Sequence, residues 1–292
     1  MKLARYWTRQ SGEAQDENGE PIRVESRGWS NESLEAAAAL ARDIARRVAV
    51  RVAAGGSPTK EYGYGDRPLP EPVLREFRNG SDGLSAVITR NAYGALVMNA
   101  RDLMFVDIDS EEAREEGAAH GLVSSVMSLF GKPKPEPAAP PSIDPVVAGI
   151  QRVAEHNSLP VRVYKTAAGY RVLVLSPRFE AGSSRSEALL QEFGSDKLYM
   201  RLCKMQESFR ARLTPKPWRC GLPAPPLTFP FEGQKDEALF REWEAKYAAV
   251  AARYATCRFV GNFGGANIEP GFQELVEVHD QESKAKSGLG LA

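Results

Sequence analysis

From residue 103 to residue 193 the chain reads strand, helix, strand, hairpin strand, helix, and a later strand completes the order βαββαβ. Leu103–Ile108 is an apolar run of strand length. Residues 111–130 read as a helix, and Pro145–Asn157 carries Val146, Val147, Ile150 and Val153 at helical spacing. Val161–Lys165 and Tyr170–Leu175 are two short β-rich runs. Thr166–Gly169 between them has the length and the closing glycine of a hairpin turn. Ser186–Phe193 and Asp196–Gln206 then read as helices.

This order predicts an α+β fold of ferredoxin-like or RRM-like type. Its sheet is expected to be mixed and largely antiparallel, to run across residues 103–280, and to hold Leu103–Asp107 near its centre, with one face left for ligands. Leu84–Thr89 and Ala92–Asn99 read as a meander with Leu103–Ile108, and Ser208–Leu213, Ala255–Val260 and Phe272–His279 as further strands. Residues 1–80 are expected to form an N-terminal helical elaboration packed on the core. It comprises a polar stretch over 1–28 with aromatic anchors at Tyr6 and Trp7, then a long helix from the N-cap candidates Ser30–Ser33 to Gly55-Gly56, then a turn of helix near Pro72–Phe77. A palm-like core would occupy residues 81–292, interrupted by five prolines among residues 131–141, which predict an exposed linker. Residues 236–254 are a clear helix whose stripe of Phe240, Trp243, Tyr247 and Tyr254 reads as core.

The first core strand contains Phe105-Val106-Asp107-Ile108-Asp109. Side chains two apart on a strand share a face. Asp107 and Asp109 are therefore neighbours of like charge, which calls for a compensating partner. A divalent cation is one. Capping of the following helix by Asp109 is another, and it leaves Asp107 unaccounted for. A further acid, Asp280, ends the apolar run that begins at Leu275. Oxygen donors favour Mg2+ or Mn2+ over zinc. Zinc also lacks a CxxC pair: Cys203, Cys220 and Cys257 are far apart and read as small core residues in a reducing compartment.

Phe209–Leu213 alternates, so Arg210 and Arg212 share a face, and Pro215 and Pro217 stiffen the loop that carries Lys216, Trp218 and Arg219. With Arg171 these make a basic set suited to phosphates, or with Trp218 to a single strand. The structural alternative pairs Arg210 and Arg212 with Asp107 or Asp109 and places Trp218 in the core. The 38 basic and 38 acidic residues cancel to a net charge of +0, so contact with nucleic acid would have to use such a local patch. No run of about 18 apolar residues is present and the N-terminus has no apolar signal core, which together predict a cytoplasmic protein with no membrane span.

These residues resemble the motif set of the archaeo-eukaryotic primase (primase-polymerase) superfamily. An hhhDhD strand corresponds to Phe105–Asp109. A motif on a neighbouring strand corresponds to Lys165–Val172, which carries Arg171 and no histidine. A later hD corresponds to Val278-His279-Asp280. The resemblance implies metal ligation by Asp107, Asp109 and Asp280, with Mg2+ or Mn2+ as cofactor. It also implies a nucleoside triphosphate near His279, DNA or RNA as partner, and nucleotidyl transfer as the reaction. Two other classes stay open: a non-catalytic nucleic-acid- or nucleotide-binding module on the same fold, and a DxD phosphatase or glycosyltransferase.

Overall fold

A computed structural model describes residues 1–57, 67–80, 83–110 and 144–292. The helix expected over 111–130 and the Pro-rich stretch 131–141 lie outside the described residues.

The chain opens with a β-hairpin where the sequence suggested only polar loop. Strands β1 (Tyr6–Gln15) and β2 (Pro21–Ser30) pair in unbroken antiparallel register, and the Asp16 carboxylate closes the turn by accepting from the Asn18 and Glu20 amides at 2.9 and 2.8 Å. Helix α1 (Leu34–Ala53) starts at Ser33, whose hydroxyl accepts from the Ala36 amide at 3.1 Å, and lies across the hairpin. Its buried face is mostly alanine: Ala37, Ala41, Ala45 and Ala49 with Ile44 and Val48. Glycine faces it from the strands. A Cβ at Gly28 would stand 2.1 Å from the Ala37 carbonyl, so the helix backbone sits directly on the hairpin.

Two four-stranded sheets follow. The first is ordered β3 (Val73–Arg78), β4 (Leu84–Arg90), β5 (Leu96–Ala100), β9 (Phe209–Arg212). Val73–Arg78 is thus a strand and not the expected helical turn, because it pairs along its length with β4, with register shifts between Val73 and Arg75 and between Phe77 and Arg78. The second is ordered β10 (Cys257–Phe263), β7 (Val161–Thr166), β8 (Gly169–Val174), β6 (Met104–Asp109). All of these strand pairings are antiparallel. The fold is therefore α+β, but two sheets stand in place of the single mixed one anticipated, and β6 leaves the meander to join the second.

Strand β6 lies at an edge of its sheet and not at the centre, because β10 pairs with β7. Its outward carbonyls are satisfied from the helical layer. Helix α3 (Ser184–Glu192) leads through Ser195 and Asp196 into α4 (Lys197–Gln206). The Ser195 hydroxyl and the Asp196 amide donate to the Asp107 carbonyl at 3.1 and 3.0 Å, and the Tyr199 hydroxyl donates to the Phe105 carbonyl at 2.9 Å. The same hydroxyl lies 3.4 Å from the Arg210 amide, so Tyr199 joins the edges of the two sheets.

One core cluster runs through both sheets, with Met98, Phe105, Tyr164, Leu173, Phe209 and Leu213 deeply buried. Helix α2 (Pro145–His156) adds Val147 and Ile150 to it; its cap, Asp144, also accepts from the Tyr170 hydroxyl. Helix α5 (Gln234–Ala251) buries Phe240, Trp243 and Tyr247 in a second cluster. Residues 272–279, expected as a strand, are instead the N-cap Phe272 and the first two turns of helix α6 (Gln273–Glu282). Phe272, Leu275, Val276, His279 and Ser283 are buried, a helical spacing that packs α6 against the main core. Among the described residues no helix is long and apolar enough to cross a membrane.

Candidate functional site

In β6, Asp107 pairs in register with Arg171 and Asp109 with Gly169, so both carboxylates lie on the sheet face that also bears Phe105, Arg171 and Tyr164. The intervening Ile108 is buried while both aspartates are half-exposed, which gives them the shared, solvent-reaching face that their spacing predicted. Among the described residues no hydrogen bond or ion pair reaches the Asp107 carboxylate; only its backbone carbonyl is engaged.

Facing this pair is the segment that follows β9. Lys216 is half-buried, and its pKa is pulled down to about 8. Burial is the main cause, repulsion from Arg212 and Arg219 adds to it, and the charges of Asp109 and Asp107 oppose it. The Arg212 Nε is buried with no hydrogen-bond partner among the described residues. Three cations and two carboxylates therefore lie close enough for their charges to act on one another. Lys216 Nζ also stands 5.5 Å from the centroid of the Trp218 ring, and that ring is exposed, not in the core.

The other residues singled out from the sequence are placed elsewhere. Arg210 shares its face of β9 with Arg212 but turns to Glu71, with contacts of 2.8 and 3.0 Å, and to Asn99 Oδ1 at 2.5 Å. Glu71 in turn accepts from the Thr89 hydroxyl at 2.5 Å. This is a buried network within the first sheet, paired with neither Asp107 nor Asp109. Arg171 is 3% exposed, and its Nη1 donates to the Arg212 carbonyl at 2.8 Å, tying the second sheet to the end of β9. Neither arginine is open to a dissolved phosphate.

His279 is fully buried on α6, with its ring 4.7 Å from that of Tyr164 and 5.8 Å from that of Phe105. Burial, reinforced by Arg171 and opposed by Asp280, draws its pKa down to about 4. Arg171 Nη1 stands 3.3 Å from Nε2, and a guanidinium can only donate, so the imidazole proton is on Nδ1, which points to Asp280 Oδ1 at 3.6 Å. His279 is thus a neutral internal residue and not a nucleotide contact.

Asp280 does not join the other two acids. Its carboxylate accepts from the Tyr164 hydroxyl and from Arg162 Nη2, both at 2.5 Å, and Lys286 Nζ is 3.3 Å away. Burial works to raise its pKa, but His279, Tyr164 and Arg162 outweigh that and hold it well below the usual carboxylate range. Among the described residues no three His, Cys, Asp or Glu side chains come together as a metal site. The expected third ligand is lost because residues 272–279 form a helix that turns Asp280 toward β7. Tyr164 and Arg162 were not identified from the sequence as its partners, although their alternation on β7 puts them on one face. Glu71 and Tyr199 carried no signal at all.

Compared with protein-family models, with curated proteins and with solved structures, the chain matches none.

Proposed function

We propose that the chain binds a phosphate-rich nucleotide between β6 and the segment after β9. Lys216, Arg212 and Arg219 face the phosphates, and Asp107 and Asp109 hold the Mg2+ or Mn2+ that travels with them. The observation that carries this reading is the same-face pair Asp107 and Asp109 confronting a Lys216 that is both desolvated and crowded by Arg212 and Arg219. Cations held that close are relieved by an added anion, and carboxylates held that close are relieved by an added cation. A metal–phosphate ligand supplies both. Mg2+ in particular takes one or two carboxylates and completes its shell with phosphates and water, so a third protein carboxylate is not required. The donor set fits: it is oxygen only, and one of its carboxylates has no other partner among the described residues.

Nucleotidyl transfer of primase-polymerase type is the second reading. It is supported by the DxD pair and by β8 lying between β6 and β7, as in a split βαβ of ferredoxin-like type. The metal would supply charge neutralisation of the phosphates. Asp107 and Asp109 would hold it, and Lys216 would orient the phosphate chain. With Asp280 engaged elsewhere and no histidine in the hairpin, binding is the reading the geometry favours.

Calorimetric titration of the full chain with ATP in the presence of Mn2+ tests it. Wild type should bind, Lys216→Ala should bind about 10-fold more weakly, and Asp107→Asn should lose the dependence on Mn2+. Failure of wild type to bind any polyphosphate with Mn2+ present overturns it. Extension of a primed template by the same preparation would establish the second reading.

A further inference from the structure

We infer that Trp218, with Tyr93 packed against it, is a stacking platform for the nucleotide's base. The inference rests on the phosphate-binding reading above and extends that site.

Trp218 is 52% exposed, while Trp7 and Trp243 are buried. A large ring left in water on a rigid frame calls for a partner. The frame is rigid here. Trp218 belongs to a short 3-10 helix, Pro217–Cys220, with the flanking Pro215 and Pro217 both buried. The Tyr247 hydroxyl donates to the Pro215 carbonyl at 2.6 Å, and the Leu222 amide donates to the Pro217 carbonyl at 3.0 Å. A second, independent turn supplies the other ring. Tyr93 sits between β4 and β5 in a turn closed by the Gly94 amide on the Asn91 carbonyl at 2.9 Å and by the Ala95 amide on Asn91 Oδ1 at 3.0 Å. The Tyr93 and Trp218 centroids are 5.3 Å apart with the planes at 65°, a T-shaped contact that buttresses the indole while half of it stays in solvent.

The surroundings decide what the ring takes. Lys216 Nζ is 5.5 Å from the indole centroid and feels the charges of Arg212, Arg219, Asp109 and Asp107. A flat aromatic face adjoining a cluster of cations matches a ligand with a flat π-system joined to phosphates, which is a nucleotide. An apolar peptide would use the ring but not the cations. Because every base has a π-face, the platform should tolerate any base.

The test is equilibrium binding to the full chain, with Mg2+, of ATP, GTP and inorganic tripolyphosphate, using wild type, Trp218→Ala and Trp218→Phe. Wild type should bind both nucleotides about 10-fold more tightly than tripolyphosphate. Trp218→Ala should erase that margin and leave tripolyphosphate affinity unchanged, and Trp218→Phe should keep most of it. Half of the side chain is in solvent, so all three proteins should melt at similar temperatures. Equal affinity of wild type for ATP and tripolyphosphate overturns the platform while leaving the phosphate site standing, and so does an equal loss of both ligands in Trp218→Ala. Failure of wild type to bind tripolyphosphate and nucleotides alike overturns the phosphate site and the platform with it. A thymidine oligomer tighter than dTTP, with the same loss in Trp218→Ala, assigns the base to a single strand. Equal affinity assigns it to a free nucleotide; either result supports the platform.

Discussion

The Tyr164 hydroxyl donates to the Asp280 carboxylate at 2.5 Å, and this contact separates Asp280 from the acid pair on β6. Tyr164 is central on its sheet face, Arg162 is two residues before it, and together they fix the first turn beyond His279 against β7. The carboxylate is needed to neutralise a largely buried guanidinium and is therefore structural.

Asp280→Ala should cost about 3 kcal/mol, because it leaves Arg162 and the Tyr164 hydroxyl desolvated and unpaired. Urea unfolding measures the loss. Nucleotide affinity and its Mn2+ dependence should stay within about twofold of wild type, a change well under a kcal/mol. Unchanged stability with lost Mn2+ dependence would instead return Asp280 to a metal site.

Acid lability should set in well above the carboxylate range. The pKa of His279 lies near 4 in the folded protein against 6.5 ordinarily. Between those values the unfolded chain binds more protons, so stability is fully present above pH 6.5 and is lost as pH falls toward 4. Holding that proton off corresponds to about 3 kcal/mol. The charged groups acting on the ring are Arg171 from β8 and Arg162 from β7, which oppose protonation, and Asp280 from its own helix, which favours it. Asp280, whose pKa is depressed, adds a further loss below its ordinary value of 3.8. Denaturation at pH 7.0, 5.5 and 4.5 should show the slope in wild type, and His279→Gln should flatten it across the upper part of that range. An identical slope in both proteins would exclude His279 as its source.

What could be read from the sequence was local. The β7–β8 hairpin, α2, α3 and α4 were legible because alternation, helical spacing and turn residues all lie within each segment. The same-face acids were legible because strand periodicity alone places them. The β1–β2 hairpin was not, since it meets α1 through Gly12 and Gly28 rather than through large apolar side chains, leaving no alternation to read. Phe272–His279 was misread because its apolar residues, Phe272, Leu275, Val276 and Val278, make a run of strand length, and so short an apolar run does not distinguish a strand from a buried helical face. The fates of Asp280 and Arg210 were beyond local reading. Each is decided by a partner more than a hundred positions away, Tyr164 at a separation of 116 and Glu71 at 139.

Arg210 and Glu71 form an almost fully buried ion pair, supported by Asn99 and Thr89. Arg210→Ala should destabilise the protein by about 3 kcal/mol, because Glu71 is left buried and charged. Its phosphate affinity should be unaffected, in contrast to Lys216→Ala. The two measurements are urea unfolding and titration with tripolyphosphate. A stable Arg210→Ala protein that binds tripolyphosphate poorly would put Arg210 back among the phosphate ligands.

Lys216 should behave oppositely. Its pKa of about 8 against 10.5 ordinarily means that the folded protein holds this proton less tightly than the unfolded chain does. Between about pH 8 and 10.5 the unfolded state therefore binds more protons, and stability should rise with pH across that window as the crowded ammonium discharges. At pH 7 the charge is retained against burial and against Arg212 and Arg219, with Asp109 and Asp107 offsetting only part of the cost. Replacing it with an apolar side chain of similar length, Lys216→Met, should raise the melting temperature at pH 7 and weaken tripolyphosphate binding about 10-fold, the opposed pair of effects expected where a binding site is held at the expense of stability. Binding to wild type should also weaken above pH 8, because a phosphate ligand favours the protonated lysine and must then bring a proton with it. In Lys216→Arg that weakening should disappear, since a guanidinium stays charged throughout. A Lys216→Met protein less stable than wild type, with unaltered phosphate affinity, would make Lys216 a structural partner of Asp107 and Asp109 and overturn the phosphate site.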